Sequence, residues 1–233
     1  MGIASGADGL ELDVHLSRDG VVVVHHDATL DRTTGATGPI AGYSADELSR
    51  VDAAFRFTSR NGDYPHRGQG VGVPTLGDVL RRFVNTRIII EMKVDSERMG
   101  EAVAADVRRA SAVARVCLAG SGGRASSAAR RALPEAACSA TRNEVRWAFY
   151  RSRARVPIRR APYGGYQIPE RASGHTIVSE RFIRDAHRAG LDVQVWTVDE
   201  EEDMRRLLGW GVDALISNRP DLAVRVRDGM VGI

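Results

Sequence analysis

The 233-residue sequence has no run of about 18 apolar residues, so no transmembrane helix is expected. Its opening residues, "MGIASGADGLELDV", lack a basic n-region and an apolar h-region. That pattern is not a signal peptide, and a cytoplasmic location is expected. There are only two cysteines, Cys117 and Cys138. They lie far apart and outside any metal-ligand spacing, so they read as small core residues. Net charge is scarce too, with 33 basic against 30 acidic residues giving +3. The pI near 9.2 reflects abundant arginine more than a real excess. No basic block with interleaved aromatics stands out, so no nucleic-acid partner is expected. Neither an internal repeat nor a low-complexity linker breaks the chain, which is expected to form one domain, 1–233.

What is present is a regular alternation. Strand-like runs occur at 9–16, 21–26, 87–94, 114–120, 191–198 and 212–218, with weaker ones at 136–141 and 166–169. Helical patterns, each opened by a capping residue, occur at 75–84, 96–111, 126–133, 179–190 and 199–211. The last two end on glycine, as helices often do. Strands alternating with helices predict a parallel sheet flanked by helices, and the even spacing favours a barrel. The chain is slightly short for a barrel of roughly 250 residues. The glycine-rich segment 56–74 is expected to be a loop.

Strand side chains alternate between faces. In "GLELDVHL" (9–16), Leu10, Leu12, Val14 and Leu16 share one face, and Glu11, Asp13 and His15 share the other. Two carboxylates on one inner face repel unless a positive charge lies between them, and a divalent cation with hard oxygen ligands supplies it. "RIIIEMK" then brings Glu91 and Lys93, again two apart, to the end of an apolar strand. Charges at such an end resemble the catalytic rim of a barrel.

"VVVVHHDATLDRTT" (21–34) raises a choice between His25 and His26. Only Ser17 to Gly20 separate the first two strands, too few for a parallel crossover. Asp19-Gly20 therefore predicts a hairpin. With a two- or four-residue loop, His26 shares the carboxylate face and His25 the apolar one. A three- or five-residue loop reverses the assignment.

Taken together, "GADGLELDVHLSRDGVVVVHHDATLDRTTGATGPI", "VPTLGDVL", "IIIEMK" and "AHRAGLDVQVWTVDEEEDMRRLLGWGVDALISNRP" resemble the glycerophosphodiester phosphodiesterase family. The likeness runs from near residue 6 to about 222 and is weak through 120–175. It implies an α/β fold, a modified (β/α)8 TIM-type barrel, with a divalent metal, Mg2+ or Ca2+. It also implies hydrolysis of a small-molecule glycerophosphodiester to an alcohol and glycerol 3-phosphate, a step of lipid and glycerol metabolism. By motif, Glu11, Asp13 and Glu91 would hold the metal, and His26 would be catalytic. Lys93 would lie near the phosphate, and Trp196 beside the pocket. Such a metal neutralises a phosphodiester and lowers the pKa of a hydroxyl, while a histidine passes protons.

The family opens with a strand ending in H-R-G, whose histidine pairs with that of H-D. Here "GAD" comes a few residues after Met1, so the barrel is expected to lack its first strand and helix. His66-Arg67-Gly68 repeats the letters in the wrong place and reads as coincidence. His15 reads as exposed, His187 as a helix-surface residue, and His175 has no evident partner. "DEEED" (199–203) reads as a solvated helix start, not a metal site. The rival readings are a truncated or catalytically dead relative, another barrel phosphodiesterase of phospholipase-like or sphingomyelinase-D-like type, and a metal-stabilised binding domain.

Overall fold

The computed structural model describes residues 2–59, 61–158, 161–172 and 174–231. Met1, and Arg60 within the expected 56–74 loop, lie outside them. In chain order the elements begin β1 (Gly9–Leu16), β2 (Val22–Val24), α1 (Ala45–Ser49), α2 (Leu76–Arg82), β3 (Arg87–Met92) and α3 (Glu97–Arg109). Then come β4 (Val116–Ala119), α4 (Gly123–Ala132), β5 (Ala137–Cys138), α5 (Arg142–Arg153), β6 (Gly165–Pro169), β7 (Arg171–Ala172) and β8 (His175–Thr176). Last are α6 (Glu180–Arg188), β9 (Asp192–Trp196), α7 (Glu201–Gly209), β10 (Ala214–Leu215) and α8 (Pro220–Val231).

The chain forms two compact units, one of residues 12–85 with 90–136 and one of 1–11, 86–89 and 137–233. In the first, the strand order is β2-β1-β3-β4. Val14, Ile90 and Leu118 from these strands are buried, as are Leu76 and Leu80 of α2. A smaller cluster of Val23, Leu30, Ile40, Leu48 and Val73 lies under the long loops. In the second unit β6, β9 and β10 form a parallel sheet, with Gln167 opposite Gln194 and Ala214 opposite Gln194 on the other side. Tyr166, Ile168, Val193 and Val195 of this sheet pack with Phe182, Ile183, Met204 and Leu207 of α6 and α7.

Local signals account for most of the boundaries. The Ser96 hydroxyl accepts from the Met99 amide, and Met99, Val103, Ala104 and Val107 then form the buried stripe of α3. Gly190 (φ 70°) and Gly211 (φ 92°) lie just past α6 and α7, where a left-handed residue ends a helix. Three helices go beyond the sequence reading. α5 opens with a capping box of Thr141 and Glu144, a signal present in the sequence. α1 is a single capped turn and α8 starts on Pro220. α4 begins three residues before the predicted 126. Its cap comes from afar: Asp95 Oδ1 accepts from the Arg124 and Ala125 amides at 2.8 and 2.9 Å.

α3 and α4 pack closely at Gly100. A Cβ there would collide with the Ala125 carbonyl and the Ala129 amide. Gly100→Ala gains about 1 kcal/mol of helix propensity. Overpacking outweighs it, and we expect a net loss of about 1–3 kcal/mol in urea unfolding.

Candidate active site

β1 and β3 are neighbours in their sheet. Glu11 and Asp13 stand two apart on β1, and Glu91 stands on β3 just before its end. Each offers a carboxylate oxygen within 4.8 Å of the others. This is the group the alternation pointed to. Three hard oxygen donors at that spacing fit a hard divalent cation.

Lys93 follows β3, anchored by its amide on the Val14 carbonyl at 3.1 Å. Its ammonium reaches Asp13 Oδ1 at 2.8 Å and Glu91 Oε1 at 3.2 Å. Burial acts to lower the Lys93 pKa, but the hydrogen bonds and charges of Asp13 and Glu91 outweigh it and hold it above the usual range. Lysine and carboxylates are thus brought together as the sequence suggested.

The histidines are settled differently from the expectation. Leu16 pairs with Val22 and Val14 with Val24. The Ser17 amide donates to the Val21 carbonyl, so the loop is Arg18-Asp19-Gly20, with Gly20 at φ 81°. This is the three-residue loop with a left-handed glycine, not the two- or four-residue one. Strand parity is therefore reversed: His25 opposes Asp13, its amide donating to the Asp13 carbonyl at 2.9 Å. Parity also stops applying, because β2 ends at Val24 and not at the predicted residue 26.

Hydrogen bonding separates the pair instead. His25 Nδ1 donates to the Asp27 carbonyl at 2.9 Å, and its Nε2 lies 3.2 Å from Thr33 Oγ1. Both ring nitrogens are engaged. His26 Nδ1 meets Asp27 Oδ1 at 2.6 Å, and Arg32 Nε meets Asp27 Oδ2 at 2.5 Å. The bond from Arg32, then that from His26, hold the Asp27 carboxyl far below the usual carboxylate range. An ionised carboxylate only accepts, so His26 carries its proton on Nδ1. His26 Nε2 makes no hydrogen bond among the described residues. The sequence alone singles out neither Asp27 nor Arg32. Their role depends on a loop that folds back on itself.

His15 is a further correction. It is 6% exposed, not at the surface, and its Nε2 donates to the His26 carbonyl at 3.2 Å. It supports the backbone on which His26 stands. His66-Arg67-Gly68 belongs to the loop's own packing: His66 stacks near Phe57, and Arg67 lies 3.5 Å over the Tyr64 ring. His187, on α6, bonds Asp213 at 2.9 Å. Cys138 is buried and Cys117 half-buried.

Trp196 ends β9, at the strand end where barrels of this class carry their sites, and is 42% exposed. The turn after it is tied by Asp199, which accepts from Ser217 Oγ at 2.9 Å and the Asn218 amide at 2.8 Å. Burial opposes ionisation of Asp199, but these bonds outweigh it and lower its pKa.

The model of the glycerophosphoryl diester phosphodiesterase family matches residues 1–222. The chain belongs to that family. A glycerophosphodiester phosphodiesterase of Bacillus altitudinis is 27% identical over 97% of this chain and 89% of its own length. The crystal structure of a glycerophosphodiester phosphodiesterase from Agrobacterium tumefaciens matches at a TM-score of 0.74 and 27% identity, covering 98% of this chain and 90% of that one. A phosphodiesterase from Oleispira antarctica, solved with its product sn-glycerol-3-phosphate, matches at a TM-score of 0.74 and 21% identity, over 97% and 87%. The fold is the family's α/β, TIM-type architecture, as the motifs implied.

Burial, aided by the charges of His25 and Lys93, pushes the His15 pKa below its usual 6.5. Unfolded chains bind that proton more readily, so the contribution to stability is full above pH 6.5 and is lost as the pH falls through the folded value. Urea midpoints measured with chelator present are expected to drop on acidification below pH 6.5. His15→Asn should flatten that drop.

Proposed function

We propose that this chain hydrolyses glycerophosphodiesters to an alcohol and glycerol 3-phosphate, with Glu11, Asp13 and Glu91 holding a divalent cation. The observation that carries this reading is the trio of carboxylate oxygens within 4.8 Å, in a chain of this family. The product named for the Oleispira antarctica relative supports glycerol 3-phosphate as the retained half. A cation bound by the trio would neutralise the phosphodiester and lower the pKa of a hydroxyl drawn to it; Mg2+ and Ca2+ both suit carboxylate oxygens.

The protein's own groups do the rest. Hydrolysis adds one water: its oxygen ends on phosphorus, one bond from phosphorus to the alcohol oxygen breaks, and one proton ends on the alcohol. His26 Nε2 is the group we assign to moving that proton, because Asp27 fixes the other nitrogen as donor. Arg32 holds Asp27 in turn. Lys93, between Asp13 and Glu91, is assigned to a phosphate oxygen of the substrate. Trp196 is assigned to the pocket wall. No helix of the described residues is long and apolar enough to cross a membrane.

Hydrolysis of glycerophosphocholine with added Mg2+ or Ca2+ tests the reading. We expect His26→Asn to lose about 10²–10⁴-fold in kcat. His25→Asn should retain most of the activity, and Asp27→Asn should fall between the two. Full activity in His26→Asn would sink the assignment. In calorimetry, Asp13→Asn and Glu91→Gln should each weaken cation binding by more than about tenfold. Chelator should abolish turnover in the wild type, and added cation should restore it.

A further inference from the structure

α5 presents a face that no part of the proposed site uses. From Arg142 to Pro169 the sequence holds seven arginines and a single acid, Glu144. Glu144 is committed to the capping box, where it accepts from the Thr141 amide at 2.7 Å. The sequence predicts no basic block with interleaved aromatics, yet the helix gathers one on a single face. On the helix, Ala148, Phe149 and Ser152 turn inward and are buried. Asn143, Arg146, Trp147, Tyr150 and Arg153 share the opposite stripe. Trp147 is 69% exposed and Tyr150 57%, which makes them the two most exposed aromatic rings named among the described residues.

Arg18, Arg50, Arg81, Arg109, Arg184 and Arg205 all pair with carboxylates. No ion pair involves Arg142, Arg146, Arg151, Arg153 or Arg155 among the described residues. The neighbouring α6 offers them no free acid: Asp185 accepts from Ser152 and pairs with Arg181 and Arg188, and Glu180 pairs with Arg184. Val156, just beyond the helix, is also exposed.

We infer that this face of α5 docks on an anionic phospholipid bilayer. Indole and phenol rings favour the headgroup layer, where one end is apolar and the other wet. Arginines beside them meet lipid phosphates, and a surface helix with basic and aromatic residues lies in the interface plane. The stripe carries no acid, which suits an anionic surface.

Vesicle co-sedimentation of the full chain tests this, independently of its hydrolytic activity. We expect binding to vesicles of phosphatidylglycerol with phosphatidylcholine and none to phosphatidylcholine alone. Binding should fall steeply as salt rises. Trp147→Ala/Tyr150→Ala should weaken it by roughly tenfold or more, and so should Arg146→Gln/Arg153→Gln. Circular dichroism checks that both variants fold, and Trp147→Phe, a milder change, should show an intermediate loss. The proposal is overturned if the wild type ignores phosphatidylglycerol vesicles at low salt, or if these variants bind as well as it does. It is also overturned if single-stranded DNA displaces the protein at lower phosphate concentration than the vesicles hold it. A wild-type dimer in solution that Trp147→Ala/Tyr150→Ala dissolves would likewise overturn it, by giving the face to a second copy.

Discussion

Three carboxylates gathered within 4.8 Å set the terms for the rest of this site. Unit charges at that distance repel by roughly 3–4 kcal/mol per pair at an effective dielectric constant of 20. A fold of ordinary marginal stability tolerates that only with opposing charge nearby. Lys93 supplies part of it, bridging Asp13 and Glu91 from the end of the neighbouring strand. The remaining deficit suits a doubly charged cation. Glu11 and Asp13 can be two apart on one face only because β1 is a regular strand, and Glu91 meets them only because β3 is its neighbour.

The loops that carry the surrounding groups use a common device. Each is tied by an aspartate accepting bonds from residues outside regular ladders. Asp27 holds His26 and Arg32, Asp95 caps α4, and Asp199 gathers Ser217 and Asn218. Carboxylates suit this work, because charge-assisted bonds are stronger than neutral ones and each oxygen accepts more than one. In Asp27 and Asp199 the same bonds favour the ionised form. For His26 this fixes which ring nitrogen is engaged.

The arginines divide into two populations. Several, among them Arg81, Arg184 and Arg205, sit one helical turn from a carboxylate and are neutralised locally. Those of α5 do not, so a nearly neutral chain carries one strongly basic face. Bulk composition averages the two and conceals the second.

Much of the architecture was legible in the residues. Alternation in 9–16 and 87–94 placed Glu11, Asp13, Glu91 and Lys93, since periodicity is a local property that the sequence records directly. Capping serines and threonines marked α2, α3 and α6 for the same reason. The choice between His25 and His26 was not legible by parity. A hairpin's register depends on one residue of loop length, and one residue exchanges the faces. Folding chose the three-residue loop, buried His15, and engaged both nitrogens of His25. The start of α4 was equally hidden, because its cap lies on another segment. Sequence determined which side chains share a strand face; tertiary structure decided which of them are left free to react, because hydrogen-bond partners from distant segments exist only once the chain has folded.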